Sequence, residues 1–411
     1  MDFTKSLFPP EIIENILKFA DGPTLLQAEL VCNDWKNIIE YIDEKYNIWK
    51  KCYKDIPKIE FYSMKEKYGC TENENQSKII LHNWLLWQKL KHRNYQITRI
   101  ELKVKKFHTS IKVSGDVIIT GTMTGQIIFF KQKDMSEIVY ETNYSSYVED
   151  LQCLNAIPYY GTGFQHTHLL IFYTGRLVFL TLGKNICTIA SIPEVSLYRV
   201  FKNVVCYVNH MGQVFVSLMH FDNVEGMSIE NVSTAKVYAP TIIKSLCIYA
   251  NKISLVTDNY LMLFDYTMAR VATAKNGQML PFYNALVERY WTFRNEIIFA
   301  TTSRHLHFAI MRSKKVFHGQ VNVMEILGSS ICDIYLHGYV LIITMSNGLV
   351  YIYYVKKWSQ FRVANYDAKI LAHTDAICGI DVQELKNEQK LFLCTAENIV
   401  HISFPNELIK Y

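Results

Sequence analysis

Seven times along the chain, an apolar run, a tight polar turn and a second apolar run follow one another. The first four units are VIITGTMTGQIIFFK from Val117, HLLIFYTGRLVFLTL from His168, NVVCYVNHMGQVFVSL from Asn203 and NKISLVTDNYLMLFDY from Asn251. The last three are NEIIFATTSRHLHFAI from Asn295, GYVLIITMSNGLVYIYY from Gly338 and KLFLCTAENIVHISF from Lys390. Short paired runs of this kind read as β-hairpins. Gly125, Gly175, Gly212 and Gly348 can supply positive φ at four of the turns, and Asn259, Arg304 and Asn398 stand in the other three. The units start 51, 35, 48, 44, 43 and 52 residues apart, and the 301 residues from Ile111 to Tyr411 divide by seven into 43. That spacing matches repeat units of about 40–45 residues that build four-stranded blades around a ring.

The expected fold over residues 98–411 is therefore a seven-bladed β-propeller. A ring also removes the exposed strand edges that a chain this rich in β-hairpins would otherwise present. The last unit has an inner strand over Ile377–Val382 and its hairpin, then only Pro405 to Tyr411, and so lacks an outer strand. Thr98–Val104, TRIELKV, alternates in polarity and precedes the first inner strand near Ser110–Val113. It is predicted to supply that missing strand and close the ring. The stretch Ala372-His373-Thr374-Asp375-Ala376-Ile377-Cys378-Gly379-Ile380 resembles the opening of a WD repeat. No unit carries the Trp-Asp dipeptide, Phe264-Asp265 being the nearest, so the repeats are WD40-like and the His–Asp network of well-matched repeats is not expected in most blades.

Ahead of the ring, residues 1–50 form a different kind of sequence. Pro9 and Pro10 can open a helix, since a first-turn amide has no intrahelical partner. Ile12, Ile13, Ile16, Leu17 and Ala20 then mark one apolar face. Asp21-Gly22-Pro23 ends it, and Thr24-x-x-Gln27 reads as a capping box for a second helix. Asn33 can cap a third, with Trp35, Ile38, Ile39 and Ile42 along one side. Three short helices do not close a large core alone, so their remaining apolar surface must be covered by the neighbouring chain or by a partner.

The pattern Phe8-Pro9-x-Glu11-Ile12-Ile13-x-x-Ile16-Leu17, then Leu25-Leu26, Val31-Cys32-x-x-Trp35, Ile38 and Ile48-Trp49 resembles an F-box. The resemblance implies a docking module for a Skp-family adaptor on a cullin scaffold. The residues it assigns to that contact are Phe8, Pro9, Ile12, Ile13, Ile16, Leu17, Leu25, Leu26, Val31, Cys32 and Trp35. A DNA-reading helix-turn-helix is excluded by charge: residues 1–50 hold five Lys, no Arg and nine acids, 5 − 9 = −4, the wrong sign for neutralising phosphates.

Residues 51–97 are expected to link the two parts. Met64–Ser77 is polar and reads as a loop. Ser77 to about Gln96 is predicted helical, with Ile80, Trp84, Trp87 and Leu90 on a packing face. Residues 51–110 carry 13 Lys plus Arg and six acids, 13 − 6 = +7, a basic connector behind an acidic head.

Half of the 411 residues are hydrophobic, and one in five is charged, as in an ordered chain. No run of 18 apolar residues predicts a membrane span, and the start MDFTKSLFPPE shows no signal-peptide pattern. Ten cysteines without a CxxC pair read as reduced thiols, placing the protein in the cytoplasm or nucleus. No nucleophile elbow, phosphate-binding loop, dinucleotide fingerprint or zinc-protease motif occurs. His166-x-His168 and His305-x-His307 have metal-ligand spacing but no third ligand nearby, so neither metal nor cofactor is expected.

The resemblance thus implies a non-catalytic substrate receptor of an SCF-type (cullin–RING) ubiquitin ligase, its ring holding a protein client and accelerating transfer by proximity. The alternative is an F-box/propeller scaffold without turnover, and head and ring are expected to have separate cores. The two longest insertions, Asn143–His166 and Lys356–Thr374, are expected on the ring's top face. Tyr159, Tyr160, Phe164, Trp358 and Phe361 there either bind the client or fill inter-blade packing. Such an aromatic surface suits protein better than nucleic acid.

Overall fold

The computed structural model describes residues 8–57, 61, 64, 76–100, 102, 106–141, 144–154, 167–182, 186–221, 227–236, 242–266, 277–312, 315–385 and 388–405. Its helical head comprises α1 (Pro10–Leu17), α2 (Gly22–Ala28), α3 (Asn33–Tyr46) and α4 (Ile48–Cys52), followed by α5 (Gln76–Gln88). Pro10 occupies the first turn of α1 behind Pro9, as expected. The cap of α2 differs from expectation. Asp21, not Thr24, starts it, its carboxylate accepting from the Thr24 amide at 2.9 Å; the Thr24 hydroxyl and then this amide hold the Asp21 carboxyl below its ordinary value. Asn33 lies inside α3, whose N-cap is Cys32 without a side-chain bond. Asn47, at φ 51°, ends α3 in the left-handed region and turns the chain into α4.

The ring has seven four-stranded antiparallel sheets, each meandering from inner to outer strand. The seven hairpins of the sequence are the two middle strands of the seven blades. Four of their turns do use glycines with φ between 74° and 87°. In the other three, a threonine serves instead. The hydroxyls of Thr257, Thr302 and Thr395 each accept from the amide three residues on at 3.1 Å, while the threonine amide bonds back to that residue's carbonyl. A side-chain acceptor thus closes the turn without positive φ.

The ring closes as predicted. Gln96–Ile100 pairs antiparallel with Ile399–Ser403 as the outer strand of blade seven, starting two residues earlier than the sequence suggested; Glu101, Lys103 and Val104 of the predicted strand lie outside the described residues. Every junction between blades is tied near the inner strands, by groups other than a repeated His–Asp pair. Trp291 Nε1 of blade five donates to Asp333 Oδ1 of blade six at 2.8 Å, and the Tyr335 hydroxyl of blade six donates to Asp381 Oδ1 of blade seven at 3.1 Å. The Val113 amide of blade one donates to the other Asp381 oxygen at 2.9 Å. Thr109 Oγ1 donates to the Val148 carbonyl between blades one and two at 2.6 Å, and the Tyr198 hydroxyl to Asp150 Oδ2 between two and three at 2.9 Å. Phe201 meets Tyr249 edge-on between three and four, and Thr292 bonds Ser245 between four and five. Burial pushes the Asp333 carboxyl above its ordinary value, with Arg289 opposing the shift.

Head and ring do not have separate cores. One apolar cluster runs from Ile13, Leu17, Leu25, Ile39 and Ile42 through Trp49, Leu81, Trp87 and Leu90 into Val340, Val382, Leu391 and Phe404 of blades six and seven. The helix at this joint is shorter than predicted. It ends at Gln88, and a single 3-10 turn over Leu90–His92 lets the chain swing towards the ring-closing strand. Gly22 makes the approach of α2 to α5 possible: a Cβ there would lie 2.4 Å from Leu81 Cδ2. Lys78 Nζ of α5 pairs with Glu29 Oε2 beyond α2 at 2.6 Å.

Buried polar bonds fix α5 to the ring. Glu384 Oε1 accepts from Trp87 Nε1 at 2.8 Å and pairs with His337 Nε2 at 2.7 Å, all three side chains being buried. Gln389 bonds Asn83 and Arg93, and Arg93 also donates to the Phe404 and Pro405 carbonyls.

The buried imidazole of His108, bonded through Nδ1 to Thr120 Oγ1 at 3.1 Å, gives the ring an acid sensitivity. Burial pushes its pKa down to about 4. An unfolded histidine titrates near 6.5, so between those values the unfolded chain binds more protons and stability falls as pH falls. The contribution is complete above pH ~6.5, and about 2 kcal/mol of it is lost by pH ~5. His108→Gln is expected to flatten the dependence of melting temperature on pH between 7 and 5. An unchanged slope contradicts this.

Candidate protein-docking surfaces

The head separates the eleven predicted contact residues into two groups. Ile13, Leu17 and Leu25 are buried in the shared core, with Leu26 and Trp35 partly buried against it, so these side chains set the angle between helices. Cys32 is half-buried at the α3 cap. Phe8, Pro9, Ile12, Ile16 and Val31 face solvent. The exposed row along α1 and its two ends is longer than the motif suggested, because Phe19, 90% exposed just past the helix, follows Ile16 at i+3 after Phe8, Ile12 and Ile16 at successive i+4 steps. Leu30 likewise joins Val31 beyond α2. Both had a readable signal, since each extends an apolar spacing by one position. α1 thus has one apolar side in the core and a second in solvent.

The ring offers two ends. In each meandering blade, the turn between the two middle strands and the crossing to the next blade share one end. Gly125 of such a turn lies against Tyr144 and Ser146 of such a crossing, and a Cβ on Gly348 would come 1.9 Å from the His373 carbonyl. The opposite end holds the connections between first and second and between third and fourth strands. Glu384 and His337, which grip α5, belong there.

Strand order moves Trp358 and Phe361 of the second insertion to this α5-bearing end, opposite to the expected one. Val148–Leu154, in the middle of the first insertion, is the inner strand of blade two. Tyr159, Tyr160 and Phe164, which follow it, lie outside the described residues. In the second insertion, Ala368–Leu371 is the outer strand of blade six, so Trp358 and Phe361 precede it. Phe361 is buried, edge-on to Phe299, Phe308 and Tyr353, and the half-buried Trp358 packs beside it. These two fill the space between blades five and six. Among the described residues no group of three or more His, Cys, Asp or Glu is placed to hold a metal, and His166 lies outside them. No described helix is long and apolar enough to cross a membrane.

Comparison with known proteins agrees with this division. The F-box domain family matches residues 6–47. No curated protein matches the chain in sequence. The β-propeller domain of Cps50 (Swd1) from Myceliophteria thermophila is similar to the chain with a TM-score of 0.50 at 10% identity, over 74% of this chain and 99% of that one. Sqt1 from Saccharomyces cerevisiae gives a TM-score of 0.49 at 10% identity, over 76% and 100%. At such identity the likeness to Cps50 speaks for the fold alone. The chain carries an F-box domain at residues 6–47, set by a helical joint on a seven-bladed β-propeller.

Proposed function

We propose that the chain is the substrate-recognition subunit of an SCF-type ubiquitin ligase, working in the cytoplasm or nucleus. F-box domains in general bind Skp-family adaptors, and F-box and propeller modules are typically receptor modules without catalysis. The observation that carries the reading is the row Phe8, Ile12, Ile16 and Phe19, exposed along α1 and its two ends while the other side of α1 is committed to the core. That row meets the adaptor, which joins the chain to the cullin scaffold. The polar and apolar grip on α5 holds head and ring in one arrangement, so a client on the ring is presented at a set distance from the ubiquitin-charged enzyme. The gain is proximity and orientation.

A purified Skp-family adaptor should co-elute with the full chain as a one-to-one complex in size-exclusion chromatography. If the two elute separately at about 10 μM each, well above an ordinary interface Kd, the assignment is wrong.

A further inference from the structure

The end of the ring away from α5 carries two exposed features along one arc, from blade seven through blades one and two to blade three. The first is apolar. Phe107, Met123, Tyr147 and Met211 are 57%, 54%, 42% and 74% exposed. Their backbones are fixed: the Met123 amide bonds the Phe107 carbonyl at 3.0 Å, Thr174 bonds the Tyr147 carbonyl at 3.1 Å, and His210 bonds the Glu194 carbonyl at 3.1 Å. Side chains on such tied turns form a standing surface, and methionine and aromatic groups are what protein interfaces favour.

The second feature is charge. Glu149, Glu194 and Asp375 are exposed on the same arc. Among the described residues of the connections that form it, no Lys or Arg is exposed. Lys106 is half-buried and pairs with Glu137. Arg176 lies over the Tyr144 ring and donates to Ser191. The chain as a whole is +5, so an arc whose exposed charges among the described residues are all acidic runs against the overall balance; Lys103 and Lys105 lie outside the described residues. Partial burial holds the Glu149 carboxyl above its ordinary value against a Thr174 hydrogen bond, with Asp150 adding to the rise, and a cation would favour its ionised form. A phosphorylated segment or a nucleic acid would meet like charge here.

We propose that this arc docks a short unphosphorylated segment of a partner protein in which Lys or Arg alternate with bulky apolar residues. The apolar side chains lie among Phe107, Met123 and Met211, and the cations face Glu149 and Glu194. Taking that partner to be the ligase's client rests on the function proposed above; the docking chemistry does not.

The test uses the full chain and three labelled peptides in fluorescence anisotropy. One alternates Lys with Leu and Phe over nine residues, one has Glu in place of every Lys, and one has phosphoserine in place of every Lys. The basic peptide is expected to bind at least about tenfold more tightly than either acidic one and to weaken with salt. Glu149→Lys with Glu194→Lys should weaken it by about tenfold or more, and Met123→Ser with Met211→Ser by a similar factor. Phe317→Ser, on an outer strand of blade five, should leave it unchanged. Absence of binding, equal or tighter binding of an acidic peptide, or indifference to both double variants overturns the proposal. Adaptor co-elution is measured on the same preparations, so a failed peptide with an intact adaptor complex sinks this inference alone.

Discussion

Ile12→Asp combined with Ile16→Asp is expected to abolish adaptor capture while the melting temperature stays within a degree or so of the parent. Both side chains are about half exposed, and surface substitutions away from special features usually change stability by less than about 0.5 kcal/mol. In the complex the same positions would bury two carboxylates against an apolar partner. Loss of a central anchor costs about 2 kcal/mol or more, and an unpaired buried charge adds to it. Two such sites together exceed about 4 kcal/mol, roughly a thousandfold in Kd. Ile13→Asp is the contrast. Its side chain is 2% exposed in the shared core, so the head itself should unfold and exchange its amide hydrogens rapidly. If the double variant still binds the adaptor within about threefold of the parent, the exposed row on α1 is not the contact.

Glu384→Ala is expected to destabilise the whole chain by about 2–5 kcal/mol, because it strips a shared acceptor from two buried donors, Trp87 Nε1 and His337 Nε2. Glu384→Gln keeps a carbonyl oxygen in the same place and should cost much less. Removing the indole donor with Trp87→Phe beforehand should shrink the penalty of Glu384→Ala, since one orphaned group is then gone. Denaturant unfolding reads the energies, and hydrogen exchange of α5 reads the joint. A cost below about 0.5 kcal/mol with unchanged exchange in α5 would mean that the apolar cluster alone holds head to ring.

Much of the ring was legible because hairpins are local. Alternation and a tight turn specify the two middle strands of each blade without long-range information, and all seven units identified on this basis are paired as expected. Closure was legible too, since a blade short of a strand at one terminus and a spare alternating run at the other have few places to go. Inner strands were harder. Val148–Leu154 does not alternate cleanly, because a bulge at Glu149 shifts the register between Val148 and Asp150. Passing over the four-residue outer strand at Ala368–Leu371 reversed the parity of the connection before it and put Trp358 and Phe361 at the wrong end of the ring.

In the head, apolar spacing located the helices but did not say which apolar residues would be spent inside. Ile12 and Ile13 are adjacent and chemically identical, yet one is 45% and the other 2% exposed. A rotation of about 100° per residue puts them on different sides of α1, and only the packing partner decides which side is core. The shared core was illegible for a related reason. Trp87 and Glu384 lie 297 positions apart, and nothing local to either marks the other as its partner.

On the function proposed above, the head engages an adaptor while the ring presents a client for ubiquitin transfer. Its most direct test is to isolate the chain, and the Ile12→Asp, Ile16→Asp variant beside it, from cells in which the proteasome is blocked. The parent is expected to bring down adaptor, cullin and at least one enriched, ubiquitin-modified client, and the variant to keep the client but lose adaptor, cullin and the modification. Adaptor and cullin recovered from the parent with no enriched client, or a client modified equally with both chains, would contradict it.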